Sequence, residues 1–259
     1  MNFKKSRNPF MNQFESKGAT RSNHEVLDRD LVQNNPIDRA YGDVMTSNGA
    51  VNKSFILAGI LLMTAIFAYA YANPIFIMGG AIVGLIVVLV AVFKPHLSPI
   101  LAPIYAGVEG LFVGALSAQF AYVYDGIVFQ AVTLTMAVLF VMLAIHKSGL
   151  IPVTQKFRRG VVMATFGIFF VYILNWILSF FGINMPYLHE GGMVGMGISL
   201  LIIGVASLNL LLDFDNFEKG EQSGAPKYME WFFAMGLIIT LVWLYVEILR
   251  FLAIFAGED

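Results

Sequence analysis

Residues 209–251 read NLLLDFDNFEKGEQSGAPKYMEWFFAMGLIITLVWLYVEILRF, in which a polar, acid-rich connector separates two long apolar runs. The connector carries four carboxylates: Asp213, Asp215, Glu218 and Glu221. Glu247 and Arg250 lie near the far end of the second apolar run. An ionisable side chain among membrane-spanning residues is costly, so each one is a candidate for function. This stretch therefore predicts a membrane fold and indicates where a functional site should lie.

The composition of the whole chain is that of a membrane protein. Of its 259 residues, 58% are hydrophobic and only 13% are charged, whereas soluble domains carry about 25% charged residues. The chain contains no cysteine, which excludes disulfides and thiolate-bound metals. It also has no basic patch with interleaved aromatic residues, so no nucleic-acid partner is expected.

Seven apolar segments are long enough to cross a bilayer as helices. Crossing ~30 Å of hydrocarbon takes about 20 apolar residues, and each segment must be helical because lipid offers backbone groups no partners. The predicted spans are Ser54–Ala72, Pro74–Phe93, Pro99–Tyr122, Ile127–Ile145, Gly160–Phe181, Met193–Leu212 and Met229–Phe251. The sequence thus predicts an all-α integral membrane protein, a seven-helix transmembrane bundle over residues 53–259 with the lipid bilayer around it.

Residues 1–52 form a polar segment rich in Asn, Ser, Asp and Arg. It has turn-forming Asn-Pro steps and no sustained apolar period. Such a segment buries too little apolar surface to offset the entropy of ordering. We expect a flexible cytoplasmic tail, with room for a short helix around Glu25–Val32.

The distribution of Lys and Arg predicts the orientation, because the cytoplasmic loops of membrane proteins carry an excess of both. With residues 1–52 placed inside, fifteen of the 16 Lys and Arg fall on the cytoplasmic side, and only Arg250 does not. The loops on the other side are short and carry Asp125 and Glu190. The sequence therefore predicts a cytoplasmic N-terminus and an extracytoplasmic C-terminus in the cell membrane.

Glu109 lies ten residues into the third predicted span, which places it close to the middle of the bilayer. An ionised carboxylate there costs at least ~2.5 kcal/mol on insertion scales. Two interpretations fit. Glu109 is either a site that binds a proton or cation along a transport pathway, or a neutral carboxyl group that hydrogen-bonds between helices. We favour the first, because an apolar residue would have cost less.

Asp213 ends the sixth apolar run and lies four residues after Asn209, so the two share a helix face. Asp215 and Glu218 follow at once, and carboxylates this close repel one another when ionised. Such acids can trade a proton for a cation, and their hard oxygen atoms suit Ca²⁺. The competing interpretation is an acidic loop at the membrane surface, which fits Asp215 and Glu218 better than Asp213.

Three residues of the seventh span complete the set of candidates. Thr240 lies mid-helix, where its hydroxyl can bond to a neighbouring acid. Glu247 and Arg250 are three residues apart and can pair locally; we expect them to anchor the helix near the outer interface, with Arg250 reaching water. The chain has no nucleotide-binding or protease motif and no clustered histidines, so neither enzymatic activity nor a bound cofactor is expected.

Small residues recur at helical spacing in the second and third spans, which allows close approach of helices. They are Gly80, Gly84, Gly107, Gly110 and Gly114. Near the ends of the spans, Tyr187, Tyr228 and Trp231 are typical of aromatic anchors at the membrane–water interface.

Three stretches together resemble the Bax inhibitor-1 family, in its YccA-like bacterial branch. They are SPILAPIYAGVEGLFVGALSA in the third span, LLLDFDNFEKG at the end of the sixth, and GAPKYMEWFFAMGLIITLVWLYVEILRFLA in the seventh. The resemblance covers residues 50–255 and leaves the tail outside. It implies that six helices surround a central seventh, and that the protein is a pH-sensitive calcium leak.

The same resemblance implies a pH sensor made of two carboxylates, one at the cytoplasmic end of the sixth helix and one on the seventh. The first matches Asp213 in its LLLDF context. The second falls at or near Thr240, which does not ionise, so the pair is either incomplete or rebuilt from Asp215, Glu218 or Glu109. Glu109 also resembles a third-helix acid of the family.

Two functions follow from these observations. The first is a calcium leak channel or Ca²⁺/H⁺ exchanger, with Asp213 as the gate carboxylate and Glu109 as an internal stop. Calcium is then the transported ion rather than a cofactor. The alternative is a membrane regulator without transport of its own, which binds a membrane protease or another integral membrane protein through a tail that folds on binding.

Overall fold

A computed structural model describes residues 44–181 and 192–257 of the chain. The chain divides into two units, Met1–Val44 and Met45–Asp259, and the helices of the bundle belong to the second. The expected flexible tail, its helix around Glu25–Val32, and the loop residues Tyr187 and Glu190 lie outside the described residues.

Seven long α-helices make up the described part of the second unit, as predicted. They are α1 (Ser47–Tyr71), α2 (Pro74–Phe93), α3 (Ser98–Val123), α4 (Ile127–Ser148), α5 (Gln155–Phe180), α6 (Met193–Gln222) and α7 (Met229–Ala256). A short 3₁₀ turn, Pro95–Leu97, joins α2 to α3. Each α-helix is long and apolar enough to span a membrane, which confirms the predicted all-α, seven-span fold.

Successive helices run in opposite directions, so the bundle has two ends that can be named from α1. The end that contains Ser47 is called the Ser47 end, and the opposite end is called the Tyr71 end. The last turns of α2, α4 and α6 and the first turns of α3, α5 and α7 lie at the Ser47 end.

The first helix starts earlier than predicted, at Ser47 rather than Ser54. The reason is a cap: the Thr46 hydroxyl accepts a hydrogen bond from the Gly49 backbone N–H at 2.9 Å. Such a bond satisfies one of the N–H groups that a helix start leaves unpaired. Residues 47–52, which the sequence placed in the tail, therefore belong to α1.

The sixth helix ends later than predicted, at Gln222 rather than Leu212. Its polar extension contains an ion pair between Asp215 and Lys219, one helical turn apart, at 2.6 Å. Pairs at this spacing stabilise helices. The chain turns only at Gly224, which adopts a left-handed φ of 65°. The acidic connector is therefore mostly helix, and the interpretation of Asp215 and Glu218 as parts of a loop is wrong.

The seventh helix is the centre of the bundle, as the family resemblance implies. Of its most apolar stretch, 61% is buried inside the protein, against 6% for α5. α7 packs against α1, α3, α4 and α6, and Leu244 and Leu249 on it are completely buried. A movement of α7 or a substitution in it therefore affects the packing of most of the bundle.

Glycines determine how closely α1 and α3 approach. A Cβ atom at Gly110 would collide with the backbone carbonyl of Leu61, and one at Gly114 with that of Ala65. At Gly107 the same atom would meet nothing closer than a side-chain methyl group at 3.9 Å. The predicted close packing is confirmed at Gly110 and Gly114 and does not hold at Gly107.

We predict that Gly114→Ala lowers the unfolding free energy by about 1–3 kcal/mol, the usual cost of overpacking, because the backbone of α1 has to move away. Gly107→Ala is the matched control and should change stability little, since its new methyl group has room. Thermal unfolding of both proteins in one detergent measures the difference. Equal midpoints for the two variants would contradict the close α1–α3 contact.

Candidate functional site

Asp213 lies in α6 toward the Ser47 end and faces α7. A Cβ atom added to Gly236 of α7 would stand 3.8 Å from its Oδ1, so Gly236 lies directly beside the carboxylate. The Thr240 hydroxyl interacts with this carboxylate and also donates to the Gly236 carbonyl oxygen at 3.2 Å. The structure thus brings two of the predicted site residues, Asp213 and Thr240, together where α6 meets α7.

The Asp213 carboxylate is incompletely paired. Its Oδ2 is buried and accepts no hydrogen bond from any residue that the structure describes. The positive charge that acts on it comes from Arg158 of α5, whose guanidinium is bound to Asp215 instead. A buried polar atom without a partner is costly to maintain, so Asp213 is the strongest candidate for a group that changes its charge or binds an ion.

Asp215 is neutralised by its neighbours. Its carboxylate accepts from the Arg158 guanidinium and from the Lys219 ammonium group, the latter at 2.6 Å. Arg158 also donates to the Asn216 side-chain oxygen at 2.7 Å, which ties α5 to α6. With two cations beside it, Asp215 is better placed to hold the two helices together than to pass an ion.

The partner of Glu218 is on α4, so this residue links α6 to α4 instead of extending the site around Asp213. Its Oε1 lies 3.0 Å from Nε2 of His146, in the last turn of α4. The His146 ring packs against Phe214, with 5.7 Å between ring centroids. More than half of the Glu218 side chain is exposed, and exposed pairs of this kind contribute little to stability.

Glu109 lies apart from these groups, on the face of α3 that packs against α2. Its carboxylate interacts with the hydroxyl of Tyr105, one turn away on the same helix. A Cβ atom at Gly84 of α2 would lie 2.7 Å from its Oε2, and Gly80 likewise lies against α3. The described contacts of Glu109 are thus in α2 and α3, whereas those of Asp213 are in α5 and α7. The structure does not join the two acids in one site.

Glu247 and Arg250 form the predicted local pair, with 3.5 Å between Oε2 and Nη2, and they belong to a larger cluster. Tyr172 of α5 donates its hydroxyl to Glu247 Oε1 at 2.5 Å. Arg250 donates to Tyr172 Oη at 2.9 Å and to Ser199 Oγ of α6 at 3.2 Å. Arg250 therefore turns into the bundle instead of reaching water, and the cluster fastens α5, α6 and α7 toward the Tyr71 end.

Glu230, which the sequence does not single out, is fully buried at the start of α7. It accepts from the Thr46 backbone N–H at 3.0 Å and pairs with Lys227 at 3.1 Å and Lys53 at 3.4 Å. An acid in the first turn of a helix is a common local feature, but Thr46 lies 184 residues away in the chain. No local pattern reveals that Glu230 fastens α1 to α7.

The cavities between the described helices include the following two. One of about 350 Å³ opens between α1, α3, α4 and α7, and one of about 370 Å³ lies between α5 and α6 with Tyr172 in its lining. Asp213 and Glu109 line neither of them. Among the described residues, no three His, Asp or Glu side chains come together as a metal site.

We predict that Glu230→Gln lowers the unfolding free energy by about 1–3 kcal/mol, because it removes the charge that two lysines and a backbone N–H share in a buried position. The control is Glu221→Gln. Glu221 also bonds to the start of α1, at Ser47, but in an exposed position, so its loss should cost less than about 1 kcal/mol. Thermal unfolding compares the two variants, and a larger loss for Glu221→Gln would contradict the assignment.

Comparison with known proteins identifies the family of the chain. The family model described as Bax inhibitor 1 like matches residues 6–257. This match is wider than the resemblance over residues 50–255, because it includes most of the polar tail. No curated protein matches the chain.

Proposed function

The chain belongs to the Bax inhibitor 1-like family over nearly its whole length, and on that basis we propose that it is a pH-sensitive calcium leak channel or Ca²⁺/H⁺ exchanger. Asp213 is the gate carboxylate in this proposal. The observation that carries it is the buried Asp213 Oδ2, which lacks a hydrogen bond within the described structure. We assign the protein no enzymatic reaction.

The surroundings of Asp213 support a role in gating. Buried atoms without a hydrogen-bond partner also occur on Glu230, Glu247 and Arg250, but each of these three groups takes part in an ion pair. No described cation pairs with Asp213. A carboxylate left in this state attracts a hard cation such as Ca²⁺ when ionised and loses that attraction when protonated.

The second acid of the family's pH sensor is absent from the position opposite Asp213. The α7 residue that interacts with Asp213 is Thr240, which supports the match made from the sequence, and a hydroxyl does not titrate near neutral pH. We therefore propose that pH acts through Asp213 alone. Asp215 and Glu218 are each held by a cation or a histidine, and Glu109 lies in a different helix contact.

The orientation belongs to the same proposal. With the N-terminus in the cytoplasm of a bacterial cell, the Ser47 end with Asp213, Asp215 and Glu218 faces the cytoplasm. Arg158 and Lys219 also lie there, in agreement with the excess of positive charge expected on that side. Asp213 then lies at the cytoplasmic end of the contact between α6 and α7.

The proposal predicts calcium flux through liposomes that contain the protein and a trapped calcium dye, and it predicts that this flux changes with pH. Asp213→Asn should reduce the flux about tenfold, which corresponds to about 1.4 kcal/mol in the barrier, and should abolish its pH dependence, because the amide does not titrate.

The matched control for this assay is Asp125→Asn, the same chemical change at an exposed position in the loop between α3 and α4. It should leave both the flux and its pH dependence unchanged. Flux that is absent at every pH, or that is the same in Asp213→Asn as in the unaltered protein, would overturn the leak proposal.

One observation favours a second function, the membrane regulator that transports nothing. Asp213 and Glu109 line neither of the two cavities described above. In this alternative the chain binds a membrane protease or another integral membrane protein, and the family match to most of the tail supports the tail as the binding segment.

A chain that lacks residues 2–43 separates the two functions, because it keeps every helix of the bundle. If the protein is a regulator, cross-linking in native membranes should capture a partner with the full chain and lose it with the shortened one. If the protein is a leak, the shortened chain should keep its flux in liposomes. Capture that is unaffected by the deletion would contradict the regulator.

A further inference from the structure

A groove on the membrane-facing side of the bundle reaches the central helix. α1 and α4 do not pack closely against each other in the described structure, and the 350 Å³ cavity lies between them. Its floor is formed by residues of α7, among them Ile238, Leu241 and Val242. The helix that the rest of the bundle buries most completely thus forms the bottom of this groove.

The groove accepts an apolar ligand and offers little to a polar one. Three of the four hydroxyls in its lining already have partners: Ser117 Oγ and Tyr245 Oη bond to each other at 2.6 Å, and Thr135 donates to the Ala131 carbonyl at 2.7 Å. The fourth hydroxyl belongs to Tyr69, the last lining residue along α1. No carboxylate, amine or amide lines it. A ligand that needs hydrogen bonds would lose them on entry, which costs more than apolar contacts return.

The groove is continuous with the surface that faces the lipid. On its rim, Ile66 of α1 is 71% exposed and Val132 of α4 is 41% exposed. Both helices span the membrane, so the medium at this rim is the hydrocarbon of the bilayer. The groove is therefore open to the lipid, and the groups that can enter it from there are acyl chains.

The length of the groove matches one leaflet. Along α1 its lining runs from Ala58 to Tyr69, a rise of about 16 Å at about 1.5 Å per residue. Half of a ~30 Å hydrocarbon core is about 15 Å. Tyr69 and Val128 lie near the Tyr71 end, so a chain that enters there from that leaflet ends near the bilayer middle.

We propose that the groove between α1 and α4 is a binding site for one acyl chain of a bilayer phospholipid, held against the face of α7 that carries Ile238, Leu241 and Tyr245. The site depends on apolar contact alone, and the headgroup stays at the Tyr71 end. It is independent of the proposed calcium pathway, because Asp213 lines no part of it.

The test uses the full chain in liposomes that contain phosphatidylcholine with a photoactivatable diazirine in mid-chain. Trypsin cleavage after Lys227 and Arg250 releases residues 228–250, so labelling of α7 is read separately from the other helices. α7 carries no exposed large apolar side chain before Phe255 among the described residues. We expect label on α7, within the segment from Ile238 to Tyr245.

A variant that fills the groove tests the site directly. Val132→Trp should reduce the α7 label about tenfold, which corresponds to about 1.4 kcal/mol of binding. Val83→Trp on α2 is the matched control, since Val83 and Val132 are 43% and 41% exposed and only Val132 lines the groove. The control should keep the label.

Three outcomes overturn the proposal, and the first needs no variant. They are an unlabelled α7 in the unaltered protein, equal loss of label in both tryptophan variants, and label that disappears as protein density in the membrane rises. The last outcome would show that a second copy of the chain occupies the groove instead of lipid. The thermal unfolding midpoint of each variant checks that it is folded.

Discussion

The constraint on which this structure depends is that a charge inside an apolar bundle needs a partner from another helix. Glu230 takes its partners from α1 and from the turn before α7, and Glu247 takes one from α5. Asp215 takes one from α5 as well. Each pair therefore fixes the position of one helix against another. These acids hold the helices together and are also candidates for function.

Asp213 does not follow this pattern, and neither does Glu109, whose carboxylate interacts with Tyr105 of its own helix. Asp213 differs from Glu109 in that its buried Oδ2 accepts no hydrogen bond within the described structure. Asp213 has the following surroundings. It is surrounded by helices that supply cations to its neighbours, yet Arg158 is bound to Asp215 and the α7 side offers only Gly236 and the Thr240 hydroxyl. Removing one partner of a buried ionic group leaves an uncompensated charge, which is strongly destabilising. That a chain keeps such a carboxylate argues for a role that a neutral residue could not fill.

The sequence predicts the number and type of the helices well, because the length and hydropathy of a span are local properties. It also identifies Asp213 and Thr240, which meet in the structure. It fails at the end of α6, where helix continues through polar residues after the apolar run stops. It also misses Glu230, whose importance comes from Thr46 and Lys53 on a helix far away in the chain. Pairings across such distances depend on tertiary packing, which no local periodicity encodes.

The two proposed sites touch the same helix from different sides. Asp213 faces α7 at Gly236 and Thr240, and the groove between α1 and α4 faces it at Ile238 and Leu241. These positions lie within two turns of one rigid helix. A shift of α7 that follows protonation of Asp213 would therefore alter the groove, and linkage requires that an acyl chain in the groove then alters the proton affinity of Asp213 by the same free energy. Because α7 has so few exposed side chains of its own, the groove is the place where the lipid can act on it directly.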